Sequence, residues 1–474
     1  MRYLTIAFLA LAHTVLGQPL TRVTCIGTSI TYGARVDNRE KEAYPAQLEA
    51  LLGAQYRVSN FGASGTTLLH KGNSPYWATG EYQKALDSHP QLVLMEFGTN
   101  DSKGVNRAHL DEFAEDYKEM IRSFTQLPSH PRVVLLLPIP SFAADSSGIW
   151  DPVITGQIIP AIREVAYEEN LEVIDMHSLL ADKEALLPDK VHPGAEGYTV
   201  MAKRLYDLIV QKKDRTFDVF AAMRGTVRTE SSFYGYRMAD FMLDGVACKV
   251  VKPKWAAPGH PWVWRARFWG HEPQADIALL EHGFHIVYCD VVELFGNSEA
   301  IERWDRFYAF FRKAGLSKKA VMEGMSRGGV YVFNWAAVNP DKVACVYVDN
   351  PVLDLKSWPG GKGVGPGSPD DWVIFKKDYG YTTEEQAMTF AGSPINKVAQ
   401  IVKGRYPILI LCADADEAVP PGENTLPFEQ KVKALGGNIT VYHKPGFHHH
   451  PHSLPNPAYI VDFILRATGY FKGL

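Results

Sequence analysis

The chain has little excess of charge of either sign: 49 Lys+Arg against 53 Asp+Glu leave a formal net charge of -4, with the two signs interspersed. Without a basic stripe to hold phosphates, no nucleic-acid partner is expected. Cysteine is scarce as well. The five residues Cys25, Cys248, Cys289, Cys345 and Cys412 each lie in or beside an apolar run, a spacing that gives neither a disulfide framework nor a metal-ligand pattern. Buried strand thiols are the expectation. Beyond the N-terminus no apolar segment reaches the ~18 residues of a membrane span, so no membrane span is predicted. Internal repeats and low-complexity tracts are missing too.

What is present suits a loop-rich globular enzyme: 46% hydrophobic and 22% charged residues, with 39 Gly and 30 Pro. A length of 474 residues exceeds one ordinary core and suggests two domains at roughly 100–200 residues each or somewhat more. The N-terminus, "MRYLTIAFLALAHTVLGQPL", has one arginine, an apolar run from Leu4 to Leu16 and a small residue at Gly17. It reads as an export leader over residues 1–17, and export to the periplasm, cell surface or medium is expected.

From Thr21 to about Lys212, short apolar runs ("RVTCIG", "YRVSNFG", "QLVLMEFG", "RVVLLLPIP", "LEVIDM") alternate with amphipathic helical stretches. Continuous apolar strands separated by helices predict a parallel sheet covered on both faces. The helix through "GAEGYTVMAKRLYDLIVQKK" closes this domain, residues 18–213, and "KKDRTF" reads as a linker. A second α/β pattern fills residues 214–474. Its strand candidates are "GVACKVVKP", "WVWRARFWG", "FHIVYCDV", "KAVMEG", "VACVYVDN", "YPILILCAD" and "NITVYHKPG". "SWPGGKGVGPGSPDDW" reads as a long surface loop on an active-site rim.

Open α/β sheets bind ligands at the carboxyl ends of their strands. In the first domain Ser29 follows "VTCIG", Gly62 follows "RVSNF", "GTND" (Gly98 to Asp101) follows "LVLMEF", and "PDKVHPGAEGY" sets Asp189 three residues before His192. A serine nucleophile needs a base, an acid to orient that base and donors for the developing oxyanion. His192 and Asp189 fill the first two roles. The donors are the Ser29 and Gly62 N–H groups and the Asn100 side-chain amide, while Asp101 braces the loop. Asp175 and His177 of "DMHS" form a competing pair of the same residue types.

The blocks "GTSI", "NFGASG", "GTND" and "DKVH" resemble those of the SGNH (GDSL-type) hydrolases over roughly Thr21 to Lys212. That resemblance implies a flavodoxin-like three-layer sandwich. One departure is Thr28, where the family usually has Asp before the serine. The orienting acid belongs to the last block, so Thr28 does not by itself disable Ser29.

The second domain contains "GMSRGG", a G-x-S-x-G elbow centred on Ser326, preceded by a strand and followed by a helix as such an elbow requires. The acid and base follow in order. "DADEAVPP" offers Asp416, with Asp414 as the alternative, and "HKPGFHHHPHSLP" offers His449, with His448, His450 and His452 beside it. A four-histidine metal cluster competes with this reading; the expectation is that the site holds no metal and the chain no cofactor. These residues resemble the α/β-hydrolase fold over roughly Thr226 to Tyr470. The fold expected for the whole chain is therefore α/β in two domains, an SGNH sandwich followed by an α/β-hydrolase sheet. The second resemblance implies an oxyanion hole from the Arg327 N–H and one N–H after the strand "WVWRARFWG", Phe268 or, failing that, Trp269. An arginine directly after the serine is also similar to the elbow of glucuronoyl esterases, which implies a guanidinium supporting the oxyanion.

Together with the leader, the resemblances imply an exported bifunctional carbohydrate esterase whose two serine sites act on an acylated glycan or small ester, removing O-acetyl groups and a second ester type from polysaccharide or sialic acid. A lipase or general acylhydrolase is one alternative, and one active domain beside a degenerate glycan-binding module is another. The 10 Trp and 22 Tyr suit sugar stacking, although "HPWVWRARFWG" is equally compatible with a core.

Overall fold

A computed structural model of the protein describes residues 20–470; the expected leader, residues 1–17, lies outside them. The first sheet contains β1 (Thr21–Gly27), β2 (Tyr56–Gly62), β3 (Leu92–Glu96), β4 (Arg132–Leu136) and β5 (Glu172–Ile174). All pairs are parallel, in the order β2-β1-β3-β4-β5. This is the flavodoxin-like doubly wound order, whose ligand crevice opens where the order reverses, between β1 and β3. Both faces are covered by helices, and β3 has no exposed residue, which is why residues 92–95 read as an uninterrupted apolar run before the buried Glu96.

The second sheet has nine strands in the order β14-β13-β12-β11-β9-β10-β8-β7-β6. Its members are β6 (Arg228–Phe233), β7 (Tyr236–Leu243), β8 (Val246–Val251), β9 (Trp262–Ala266), β10 (His285–Cys289), β11 (Ala320–Met325), β12 (Val343–Asp349), β13 (Ile408–Ala413) and β14 (Ile439–Lys444). Strands β9 to β14 are parallel, and β6, β7 and β8 run antiparallel at one edge. Trp262 and Trp264 on β9 are wholly buried and stack at 5.5 Å. These two tryptophans belong to the core and cannot stack on a sugar.

All five cysteines are buried and free. No helix among the described residues is long and apolar enough to cross a membrane.

The segment read as a linker is fastened down. Asp214 bridges to Ala256 and receives a 3.0 Å hydrogen bond from His260, while Lys213 Nζ donates to the Glu281 carbonyl at 2.7 Å. One hydrophobic core runs through both units, joining Ile162, Val165 and Ala166 to Phe233, Tyr236 and Ile277. At this seam Glu281 accepts from the Asp175 N–H at 2.8 Å and pairs with Arg204.

Candidate active sites

Ser29 begins a single helical turn, Ser29–Tyr32, directly after β1. Thr28 caps that turn, and its Oγ1 also donates to Glu96 Oε2 at 2.8 Å. Glu96 ends β3 and is fully buried; the hydroxyls of Thr31 and Thr99 and the Thr28 N–H also donate to it. Burial pushes the Glu96 carboxyl up to about 7 despite these donors. Thr28 thus ties the serine turn to the neighbouring strand.

Ser29 Oγ lies 2.9 Å from His192 Nε2, and His192 Nδ1 lies 2.8 Å from Asp189 Oδ2. The other Asp189 oxygen accepts the N–H groups of His192 at 2.7 Å and Val191 at 3.1 Å. Arg35 Nε donates to Oδ2 at 3.0 Å. Burial alone would raise Asp189, but the hydrogen bonds and charge of His192 and the Val191 N–H outweigh it and hold the carboxyl at about 2. An ionised Asp189 keeps the imidazole with N–H on Nδ1 and a lone pair on Nε2 facing the serine. The competing pair is occupied elsewhere: Asp175 caps a helix at Ser178 and binds Arg163, and His177 meets Asp151 at 3.1 Å.

The expected donor Gly62 is not available. Its N–H donates to Asn60 Oδ1 at 2.9 Å, and it closes the β1–β2 ladder opposite Gly27. A side chain there would place its Cβ 2.2 Å from the Tyr32 nitrogen, so this glycine lets the serine turn pack on β2. Gly65, three residues on, has φ +82 and an N–H without an acceptor among the described residues. Asn100 Nδ2 donates to the adjacent Thr66 carbonyl at 2.9 Å, leaving its second amide proton free. Asp101 braces this loop through the Leu68 and Leu69 N–H groups. The signal for Gly65 was the second glycine of "NFGASG", in the loop rather than the strand.

Ser326 stands between β11 and the helix Gly328–Val338 with φ +49, a left-handed conformation rare for serine. A Cβ on Gly328 would lie 2.7 Å from the Ala266 carbonyl and one on Gly324 2.8 Å from the Gly328 carbonyl carbon. Both flanking glycines therefore answer to close backbone approach. Ser326 Oγ is 3.0 Å from His449 Nε2, and His449 Nδ1 is 2.7 Å from Asp416 Oδ2. The second Asp416 oxygen accepts the Val419 N–H at 2.8 Å, which closes the turn of "DEAVP". Asp414 pairs instead with His443 at 2.6 Å, His448 with Glu417 at 3.1 Å, and His452 with Asp349 at 3.0 Å. Asn350, which sequence reasoning missed, clamps the loop by donating to the His449 carbonyl at 2.9 Å while accepting from the Ala413 N–H.

The Arg327 N–H has no acceptor among the described residues, as the oxyanion role requires. Its guanidinium is mostly buried and binds Asp371 at 2.7 Å, with Glu293 at 3.5 Å and the Trp358 ring at 5.4 Å. It therefore anchors the helix Pro369–Asp378, part of a cap with a small core of its own. Phe268 and Trp269 lie in the turn after β9, beside β11. Neither N–H has an acceptor among the described residues, while the Trp269 ring packs against Phe233 and Tyr288. Arg265, fully buried with Asp276 and Glu323, holds this turn by donating to the Phe268 carbonyl at 3.2 Å. Each site thus combines a serine, an imidazole and an orienting carboxylate, the set that can carry out acyl transfer.

Residues 25–200 match the model of the GDSL-like Lipase/Acylhydrolase family. An acetylxylan esterase of Xylanibacter ruminicola is 40% identical over 200 residues, 38% of this chain and 42% of that relative. The chain thus spans about two fifths of that relative's length. Among solved structures, a carbohydrate acetylesterase from Sinorhizobium meliloti aligns with 40% of this chain and 98% of its own, at 18% identity and TM-score 0.33. A puromycin-hydrolyzing peptidase of Mycobacterium tuberculosis aligns with 50% of this chain and 41% of its own, at 15% identity and TM-score 0.40.

Proposed function

We propose that this chain, whose N-terminal part is a GDSL-type acylhydrolase domain, is an exported carbohydrate esterase with two serine sites. The first removes O-acetyl groups from a polysaccharide of the xylan type, and the second cleaves another ester of the same class of glycan. The observation that carries the reading is the unbroken chain Ser29–His192–Asp189, with contacts of 2.9 and 2.8 Å, in a segment similar to an acetylxylan esterase. The two domains meet near residue 213. Export rests on the apolar N-terminal run.

In the first site Ser29 Oγ attacks the acetyl carbonyl while its proton passes to His192 Nε2. Asp189 stabilises the imidazolium through Nδ1–H. Negative charge gathers on the carbonyl oxygen, met by the N–H groups of Ser29 and Gly65 and the free amide proton of Asn100. His192 then protonates the departing sugar hydroxyl, and water hydrolyses the acetyl-serine with the same residue as base. Ser326, His449 and Asp416 repeat the sequence, with the N–H groups of Arg327 and Phe268 as donors.

The test is acid release from acetylated xylan, pectin, an O-acetylated sialic acid and a methyl glucuronate ester by the full chain and two variants. Ser29→Ala is expected to lose acetate release about 10³-fold or more and keep a second product, with Ser326→Ala the reverse. Loss of every product in one variant would refute the two-site reading.

A further inference from the structure

Three imidazoles crowd together beside Ser326. The ring centres of His449, His450 and His452 are 5.0, 5.0 and 4.8 Å apart. Each offers a ligand nitrogen within 4.8 Å of the others. Zn–N bonds of ~2.0–2.1 Å put each ring centre about 3.2 Å from the metal, and tetrahedral angles then separate the centres by about 5 Å. The observed triangle has that size. His271 stands beside it, 5.9 Å from His450 and 6.0 Å from His452.

Metal-binding histidines almost always donate their other ring N–H to a carboxylate or carbonyl, which fixes the tautomer and aims the free nitrogen. Two of the three have that support. Asp416 Oδ2 holds His449 Nδ1 at 2.7 Å, and Asp349 Oδ1 holds His452 Nδ1 at 3.0 Å. Asp349 is itself buried and fixed by Lys444 and the Ser453 N–H. Both Nε2 atoms are thereby left as lone-pair donors, and His450, exposed at the rim, supplies the third. Three imidazole nitrogens suit zinc and neighbouring first-row ions. The His449 Nε2 lone pair is the one facing Ser326 Oγ at 3.0 Å, so it can serve the serine or a metal but not both.

We propose that His449, His450 and His452 form an inhibitory site for Zn²⁺, which binds the Nε2 of the base and switches off Ser326 while leaving Ser29 working. The switching effect rests on the reading of Ser326 as a nucleophile; the metal site itself does not. Coordination uses existing lone pairs and releases no proton from the imidazoles. The serine hydroxyl merely loses its acceptor, and a water completes the tetrahedron.

The test uses the full chain with Co²⁺ and Zn²⁺ as probes. Cobalt titration is expected to give the strong visible absorption of a tetrahedral ion at one equivalent, displaced by zinc and retained in Ser326→Ala. His450→Ala, an exposed change, is expected to weaken binding at least tenfold. Zinc is also expected to slow labelling of Ser326 by a fluorophosphonate, in which Oγ attacks phosphorus and fluoride leaves, with a chelator restoring the rate. Absence of a tetrahedral cobalt signal, or equal affinity in His450→Ala, would overturn the site. A normal cobalt signal with an unreactive Ser326 would leave the metal site standing and refute the esterase reading of the second domain.

Discussion

The two serines reach the same contacts by opposite means. Ser29 starts a helical turn without a positive φ, and the packing constraint falls on its neighbour Gly62. Ser326 itself takes φ +49 while glycines on either side make room. The acids differ as well: the Asp189 side chain is 32% exposed and carries Arg35, whereas the Asp416 side chain is 1% exposed and closes a tight turn. A serine, histidine and carboxylate can therefore be brought together by loop hydrogen bonds or by backbone strain under a cap, and the two designs should fail differently.

The largest difference lies in the oxyanion donors. In the proposed mechanism the first site includes a side-chain amide, and the second relies on backbone N–H groups that substitution cannot remove. Asn100→Ala is expected to lower kcat of the Ser29 reaction ~10²–10³-fold, about 2.7–4 kcal/mol, with KM little changed and Ser326 labelling unaffected. Steady-state kinetics on an acetylated xylo-oligosaccharide would measure it. An unchanged kcat would remove Asn100 from the oxyanion hole.

Gly328→Ala probes the strained design. Its Cβ meets the Ala266 carbonyl at 2.7 Å, so the elbow helix must move at a cost of about 1–3 kcal/mol. A lower Tm and loss of Ser326 labelling are expected, with acetate release by Ser29 retained.

The smallest effect concerns Glu96. Its carboxyl is raised from 4.5 to about 7 by burial, so the protonated form favours the fold. That stabilisation is complete below about 4.5 and lost as pH rises through about 7. Glu96→Gln, compared with the parent by Tm across this range, should flatten the slope by a few °C.

The buried parallel strands were legible because residues covered on both faces are mostly apolar, as in "ILILCA" and the first four residues of "LVLME", whose last residue, Glu96, is the exception. The hairpin of β6 and β7 was not. It lies at a sheet edge, and Arg228, Glu230 and Arg237 pair on its outer face, so "RTESSFYGYRM" carries no apolar run. The cap helix Pro369–Asp378 escaped notice because it buries only Trp372 and Phe375 and follows a Gly/Pro-rich stretch. At the first site, sequence order identified a serine, an acid and a base that the fold brings together. It could not tell Gly62 from Gly65, because that choice depends on where the Asn60 side chain points. Arg265 was hidden inside "WVWRARFWG", and only its partners Asp276 and Glu323 reveal that a charge sits at the centre of a sheet.

The seam between the two units has a consequence of scale. Because Ile162 and Val165 pack into the same core as Tyr236 and Ile277, and Glu281 is locked between Arg204 and Asp175, the boundary is not a tether. The distance from one serine to the other is a property of the fold, as constant as the gap between two teeth of a comb. On the two-site function proposed above, a long substrate would have to present its esters in step with that gap or leave one site and diffuse to the other.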